Sequence, residues 1–163
     1  MPRLLKVAVT GLAALVGAGM PVPSDVATAN PTALVQEIPD ESLRDVAVAV
    51  YDPVHPVIYY SPSLMQRFSP ELGAFFMAHE YAHIFLKHTR ASALGVDPSG
   101  RNRLLQSKEL EADCLAAKRL GGSRRDASLA AVRFFARLGS IQFDDEHPTG
   151  TERARQILTC MPE

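Results

Sequence analysis

The chain has 163 residues, 47% of them hydrophobic and 21% charged, with a formal net charge of -1. This balance is typical of one globular domain and excludes a largely disordered chain. Because basic residues are not in excess and tryptophan is absent, we expect no nucleic-acid partner. No apolar run reaches the roughly 18 residues that a transmembrane helix needs, so we expect no membrane span in the mature chain.

The N-terminal segment has the features of an export signal. It begins with basic side chains and no acid, and residues 7–20 are uncharged and mostly small or apolar. Ala27-Thr28-Ala29 then offers the small residues that a signal peptidase recognises; a short buried helix is the alternative interpretation. We therefore predict a signal peptide over residues 1–29 and a single exported domain, periplasmic or secreted, over residues 30–163.

After the export signal, the sequence predicts two short strands and then helices. Residues 45–51 and 57–60 are rich in Val, Ile and Tyr and flank a proline-rich turn. Ser69-Pro70-Glu71 favours a helix start, because Ser caps, Pro suits the first helical position and Glu suits the positive helix end. These elements predict an α+β fold, mostly helical, with a short two- or three-stranded sheet beside this first helix. Further helices are expected over about residues 102–120, from 123 to 139 and over about 151–160.

The strongest chemical signal is the segment His79-Glu80-Tyr81-Ala82-His83, which matches the pattern H-E-x-x-H. Histidines four residues apart on a helix project from the same side, so both imidazoles can bind one cation. Glu80 lies beside the first histidine, where it can reach a water molecule activated by the metal. The alternative is that both histidines are ordinary residues of an amphipathic helix.

A third metal ligand is expected, and Glu109 is the candidate. A metzincin pattern would place Gly at Leu86 and His at Thr89, so that arrangement is excluded. Glu109 and Asp113 lie four residues apart on a helix face that is otherwise small and apolar, where an unpaired acid is costly to bury. Coordination of a metal by Glu109 removes this cost, and Asp113 can accept the free N–H of a ligating histidine. A solvated charged face is the alternative.

Three motifs in this order resemble the gluzincin zinc metallopeptidases of the HtpX-like and BepA-like group. They are H-E-x-x-H at His79, E-x-x-A-D at Glu109, and H-P-x-x-x-x-R from His147 to Arg153. The resemblance covers roughly residues 45–160. HtpX-like proteins also carry membrane helices and BepA-like proteins a helical repeat domain, and neither is indicated here.

The resemblance implies a small zincin-like domain that binds one Zn²⁺ ion through His79, His83 and Glu109. It further implies that Glu80 is catalytic and that Asp113 supports a ligand. The implied activity is that of an exported zinc-dependent endopeptidase acting on peptides or proteins, with Glu80 as general base. A non-catalytic zinc-stabilised protein, or a chaperone-like periplasmic protein, is the alternative.

Three other histidines and one arginine have weaker signals. His147 is the candidate donor to the developing oxyanion, although an ordinary loop histidine is the alternative. Arg153 is expected to order its segment or to pair with an acid. His88 matches a histidine often found in BepA-like members, and we expect a structural role for it in the last turn of the first helix. His55 has no motif around it and is expected at the surface.

The two cysteines and the second strand complete the expectations. In an oxidising compartment, Cys114 and Cys160 favour a disulfide, whereas two buried thiols are the alternative. Residues 57–60 are a candidate edge strand for pairing with an extended peptide substrate.

Overall fold

The computed structural model describes residues 35–88 and 95–163. The signal peptide expected over residues 1–29 lies outside these ranges. The described chain forms the following elements: β1 (Gln36–Pro39), β2 (Ala47–Val50), β3 (Val57–Tyr60), α1 (Pro62–Met65), α2 (Pro70–Phe85), α3 (Pro98–Leu120), α4 (Arg125–Leu138) and α5 (Gly150–Cys160).

The three strands form one small sheet in the order β1-β3-β2, which confirms the α+β class. β1 runs parallel to β3 and β2 runs antiparallel to it, with Ala49 opposite Ile58. The prediction that residues 57–60 form an edge strand was therefore wrong, because β3 is central and β2 lies at an edge. β1 escaped prediction because its sequence, Gln-Glu-Ile-Pro, contains a proline and only one strongly β-forming residue.

Helix α2 begins where the sequence predicted. The Ser69 side chain accepts a hydrogen bond from the Leu72 backbone N–H, and Pro70 occupies the first turn. The helix contacts α3, α4 and β2. It buries Phe75 completely in the core and carries both histidines of the H-E-x-x-H segment toward α3.

Helix α3 begins earlier than the predicted start near residue 102. Asp97 caps it by accepting a hydrogen bond from the Gly100 backbone N–H, and Pro98 is its first residue. The first turn was missed because Pro98, Ser99 and Gly100 have low helix propensity. The other two long helices, α4 and α5, lie close to their predicted ranges.

The core lies between the four long helices, where small side chains let the backbones approach closely. Ala116 and Ala117 of α3 and Ala127 and Ala131 of α4 are all fully buried. A disulfide between Cys114 and Cys160 ties α3 to α5 and is the pairing that the sequence favoured. In the part of the chain that the structure describes, no helix is both long enough and apolar enough to cross a bilayer. The other buried side chains of this cluster are Leu72, Phe75, Phe135, Ala154 and Ile157. A second buried cluster, at the sheet, consists of Ala47, Ile58 and Ile84.

Candidate metal centre

Three side chains from α2 and α3 bring their donor atoms to one point. His79 Nε2 lies 3.0 Å from His83 Nε2 and 3.1 Å from Glu109 Oε2. His83 Nε2 lies 3.2 Å from Glu109 Oε1. With ligand bonds of about 2.0–2.1 Å, the ligand atoms of a tetrahedral zinc site are about 3.3 Å apart. The group His79, His83 and Glu109 is therefore of the right size to hold a metal ion.

The local helical geometry produces this arrangement. His79 and His83 are one turn apart on α2, so their imidazoles leave the same side of the helix. Glu109 faces them from the middle of α3, and its side chain is only 16% exposed. Two imidazole nitrogens and a carboxylate oxygen form a ligand set that suits zinc.

The protonation pattern around His79 also suits a cation. Asp113 is fully buried, and its Oδ1 lies 2.9 Å from His79 Nδ1. With the proton on Nδ1, His79 donates to this carboxylate and turns the lone pair of Nε2 toward His83 and Glu109. Asp113 therefore contacts a histidine of the H-E-x-x-H segment, and its role as a support for that histidine stays a prediction.

Arg153 pairs with the buried Asp113 carboxylate. The guanidinium Nε and a terminal nitrogen lie 2.8 and 2.7 Å from the two oxygens of Asp113, and the guanidinium stacks 4.1 Å from the Phe135 ring centre. Burial alone would raise the pKa of Asp113, but the attraction of Arg153 holds it below its usual value. Arg153 therefore makes the pairing with an acid that the sequence suggested.

Burial and charge interactions determine the protonation states of the three donor groups. Burial acts to lower the pKa of His79, yet the carboxylates of Glu109 and Asp113 outweigh it and raise this pKa to about 10. Burial lowers the pKa of His83. Burial alone would raise the pKa of Glu109, but the interactions with His79 and His83 hold this pKa well below the usual range. A cation that binds at this point therefore competes mainly with a proton on His79.

Glu80 is the acid nearest in sequence to the donors, and it lines the same cavity as His79 and His83. Burial raises the pKa of Glu80 to about 7, although the charge on His79 and a backbone hydrogen bond with Ala49 oppose this rise. A carboxyl group that titrates near neutral pH is well matched to accepting and returning a proton.

His147 lies at the rim of this cavity, between α4 and α5. Its Nδ1 is 2.8 Å from Asp144 Oδ1, and its Nε2 is 3.9 Å from Glu109 Oε2. Asp144 therefore orients the imidazole so that Nε2 faces the centre. This contact with Asp144 is visible only in the fold.

His88 lies closer to the centre than the sequence predicted. Helix α2 ends at Phe85, so the expectation that His88 belongs to its last turn was wrong. Its Nδ1 lies 3.1 Å from His83 Nδ1, and its Nε2 lies 3.5 Å from Glu111. Burial, followed by the charge of His83, lowers the pKa of His88 to about 4. Glu111 itself is exposed, and His55 is exposed as expected.

The three donor residues line a cavity of about 730 Å³, whose walls differ in their residues. One wall is the edge strand β2 with its flanking residues, and another is aromatic. The rings of Phe68, Phe76 and Phe134 pack edge to face with centres 5.2 to 5.8 Å apart. The exposed Phe143 also lines the cavity, near His147.

Comparison of the chain with protein-family models, with curated proteins and with solved structures finds no match in any of the three. The relation to gluzincin peptidases therefore remains a resemblance of motifs.

Proposed function

We propose that this chain is a zinc-dependent endopeptidase. The observation that carries the proposal is the convergence of His79, His83 and Glu109, with donor atoms 3.0 to 3.2 Å apart, beside the carboxyl group of Glu80. A metal that only held two helices together would not need this carboxyl group in the same cavity. Nor would it need a cavity of about 730 Å³ beside the donors.

The chemistry divides between the metal and the protein side chains. When bound, zinc lowers the pKa of a coordinated water to about 7 and polarises a carbonyl group. The Glu80 carboxylate accepts a proton from the attacking water and passes it to the leaving amine, so it alternates between base and acid. His147 Nε2 faces the same space. In its imidazolium form, with the Nδ1–H donated to Asp144, His147 donates a hydrogen bond from Nε2 to the carbonyl oxygen as negative charge develops there.

The substrate of this proposal is an extended peptide. β2 lies at the edge of the sheet, and no described strand pairs with its outer side. A peptide can add to this edge through backbone hydrogen bonds, which would lay it across the cavity near Glu80 and His147. The substrate-binding strand of this proposal is therefore β2 rather than β3.

Export to an oxidising compartment is part of the proposal. The Cys114–Cys160 disulfide supports it, because such bonds persist in periplasmic and secreted proteins and are rare in the cytosol. The basic start and apolar run of the N-terminal sequence agree with the same route.

Hydrolysis of an unstructured protein by the purified, zinc-loaded chain tests the function. We expect Glu80→Gln to retain zinc and to lower the rate by roughly 10²–10⁴-fold, because the amide cannot accept the proton. Labelled casein gives the rate, and elemental analysis gives the zinc content of both proteins. Equal rates in the two proteins, or no hydrolysis by the parent protein, would contradict the proposal.

A further inference from the structure

Helix α2 ends in a turn that folds the chain back over His83. Lys87 has φ 57°, in the left-handed region that residues other than glycine seldom adopt. Its N–H donates to the Ile84 carbonyl at 3.1 Å, and the His88 N–H donates to the His83 carbonyl at 2.9 Å. These two bonds form a Schellman motif, which places His88 directly beside the second histidine of the centre.

The side chain of His88 then hydrogen-bonds to Nδ1 of His83, which is the ring nitrogen that faces away from the centre. His83 Nε2 is directed at Glu109 and His79, so it must keep its lone pair free for a cation. The proton of neutral His83 then lies on Nδ1, which is 3.1 Å from His88 Nδ1. His88 must accept this hydrogen bond, and its own proton then lies on Nε2, 3.5 Å from Glu111 Oε2.

The two ligand histidines thus have different supports. His79 donates directly to the fully buried Asp113. His83 donates instead to an imidazole whose side chain is 9% exposed, and behind it stands Glu111, whose side chain is 55% exposed. Metal-ligating histidines nearly always donate their second N–H to such a partner, which fixes the tautomer and the ring orientation.

We propose that His88 is a positioning residue for the metal centre, which acts by accepting the Nδ1–H of His83, and that Glu111 in turn orients His88. This inference rests on the metal centre of the proposed function, but not on peptide hydrolysis. The strained turn at Lys87 is the backbone feature that makes the contact possible.

Zinc affinity, measured by competition with a chromophoric chelator, tests this role without any activity assay. We expect His88→Leu to weaken zinc binding by roughly 10–100-fold, because the Nδ1–H of His83 loses its acceptor. His88→Asn should recover most of this loss, since its Oδ1 takes the place of the imidazole Nδ1. His55→Leu, which removes an exposed histidine, is the matched control and should leave the affinity unchanged.

Two further variants separate positioning from simple stabilisation. Lys87→Gly should keep the affinity and raise the melting temperature, because glycine adopts a positive φ at little cost. Glu111→Leu changes an exposed side chain, so it should fold, and we expect a several-fold weaker affinity from the less ordered His88. Long-range ¹H–¹⁵N spectra of the imidazoles should show His83 protonated on Nδ1 in the parent and in His88→Asn.

The outcomes distinguish this proposal from the proposed function. A folded His88→Leu with the parent affinity would overturn the positioning role, and so would His88→Asn binding as weakly as His88→Leu. If His88→Leu does not fold, an unchanged affinity in both His88→Asn and Glu111→Leu overturns it instead. Zinc binding with the expected pattern but without hydrolysis would leave the positioning role standing and would remove the peptidase. No zinc binding by the parent chain would remove both.

Discussion

The buried charges around His79, His83 and Glu109 suit a group that could hold a metal ion. Arg153 makes its short hydrogen bonds to Asp113 and lies 3.9 Å from the nearest oxygen of Glu109. The short contacts of Glu109 are instead with the two imidazoles, at 3.1 and 3.2 Å. Burying a carboxylate is costly unless a cation or strong hydrogen-bond donors compensate. In the proposed function, a divalent ion between the three groups supplies that compensation.

For the proposed zinc site, the same charges predict that the zinc affinity depends on pH. The pKa of His79 is raised to about 10, whereas the pKa values of His83 and Glu109 are lowered. Binding between about pH 6 and 9 must therefore displace one proton, mainly from His79, so affinity falls as the pH falls, by about tenfold per unit. Calorimetric titration with zinc in buffers of different ionisation enthalpy gives the number of protons released. An affinity that is independent of pH over this range would contradict the charge assignment.

Sequence analysis identified the residues of the centre because they carry strong patterns, and it missed those without one. His79, Glu80 and His83 stand in a fixed spacing on one helix, and Glu109 stands on an apolar face. The exposed Glu111 has no such pattern. Its partner His88 comes within reach only through the positive φ at Lys87, which no propensity predicts for lysine.

At the scale of secondary structure, the helices were easier to predict than the sheet. The start of α2 was predicted because its capping signals are local: Ser69, Pro70 and Glu71 act within one turn. Strand order depends on pairing between distant segments, and the β propensity of β1 is too low for the strand to be predicted from its sequence. The identity of the edge strand, and so of the proposed substrate strand, therefore came only from the fold.

Helices α3 and α5 are joined beneath the centre by the Asp113–Arg153 pair, which gives a prediction about stability. Arg153→Leu leaves the Asp113 carboxylate fully buried without its guanidinium partner, and loss of one member of a buried pair typically costs about 3–5 kcal/mol. We expect the free energy of unfolding in urea to fall by that order. The double variant with Asp113→Asn should lose less than the sum of the two single variants, because no buried charge remains unpaired. Strict additivity would show that the pair has no coupling.

At the scale of the whole molecule, the disulfide links α5, the last helix, to α3, the helix that carries Glu109. Cys114 and Cys160 are separated by 46 residues, and closing a loop of this size contributes about 3–4 kcal/mol in the loop-entropy model. The double variant Cys114→Ala, Cys160→Ala should lose a similar free energy of unfolding, measured in urea beside the oxidised parent. The same variant should keep its zinc affinity at temperatures where it is folded, because neither cysteine is among the three donor residues. An unchanged unfolding free energy would show that the bond adds little to the native fold.

The central claim is that His79, His83 and Glu109 coordinate one zinc ion. X-ray absorption at the zinc edge of the purified protein tests it most directly. We predict one zinc per chain, with two imidazole nitrogens and a carboxylate oxygen at about 2.0–2.2 Å, completed by a light oxygen ligand. A spectrum without two imidazoles, or a protein that takes up no zinc, would contradict the account.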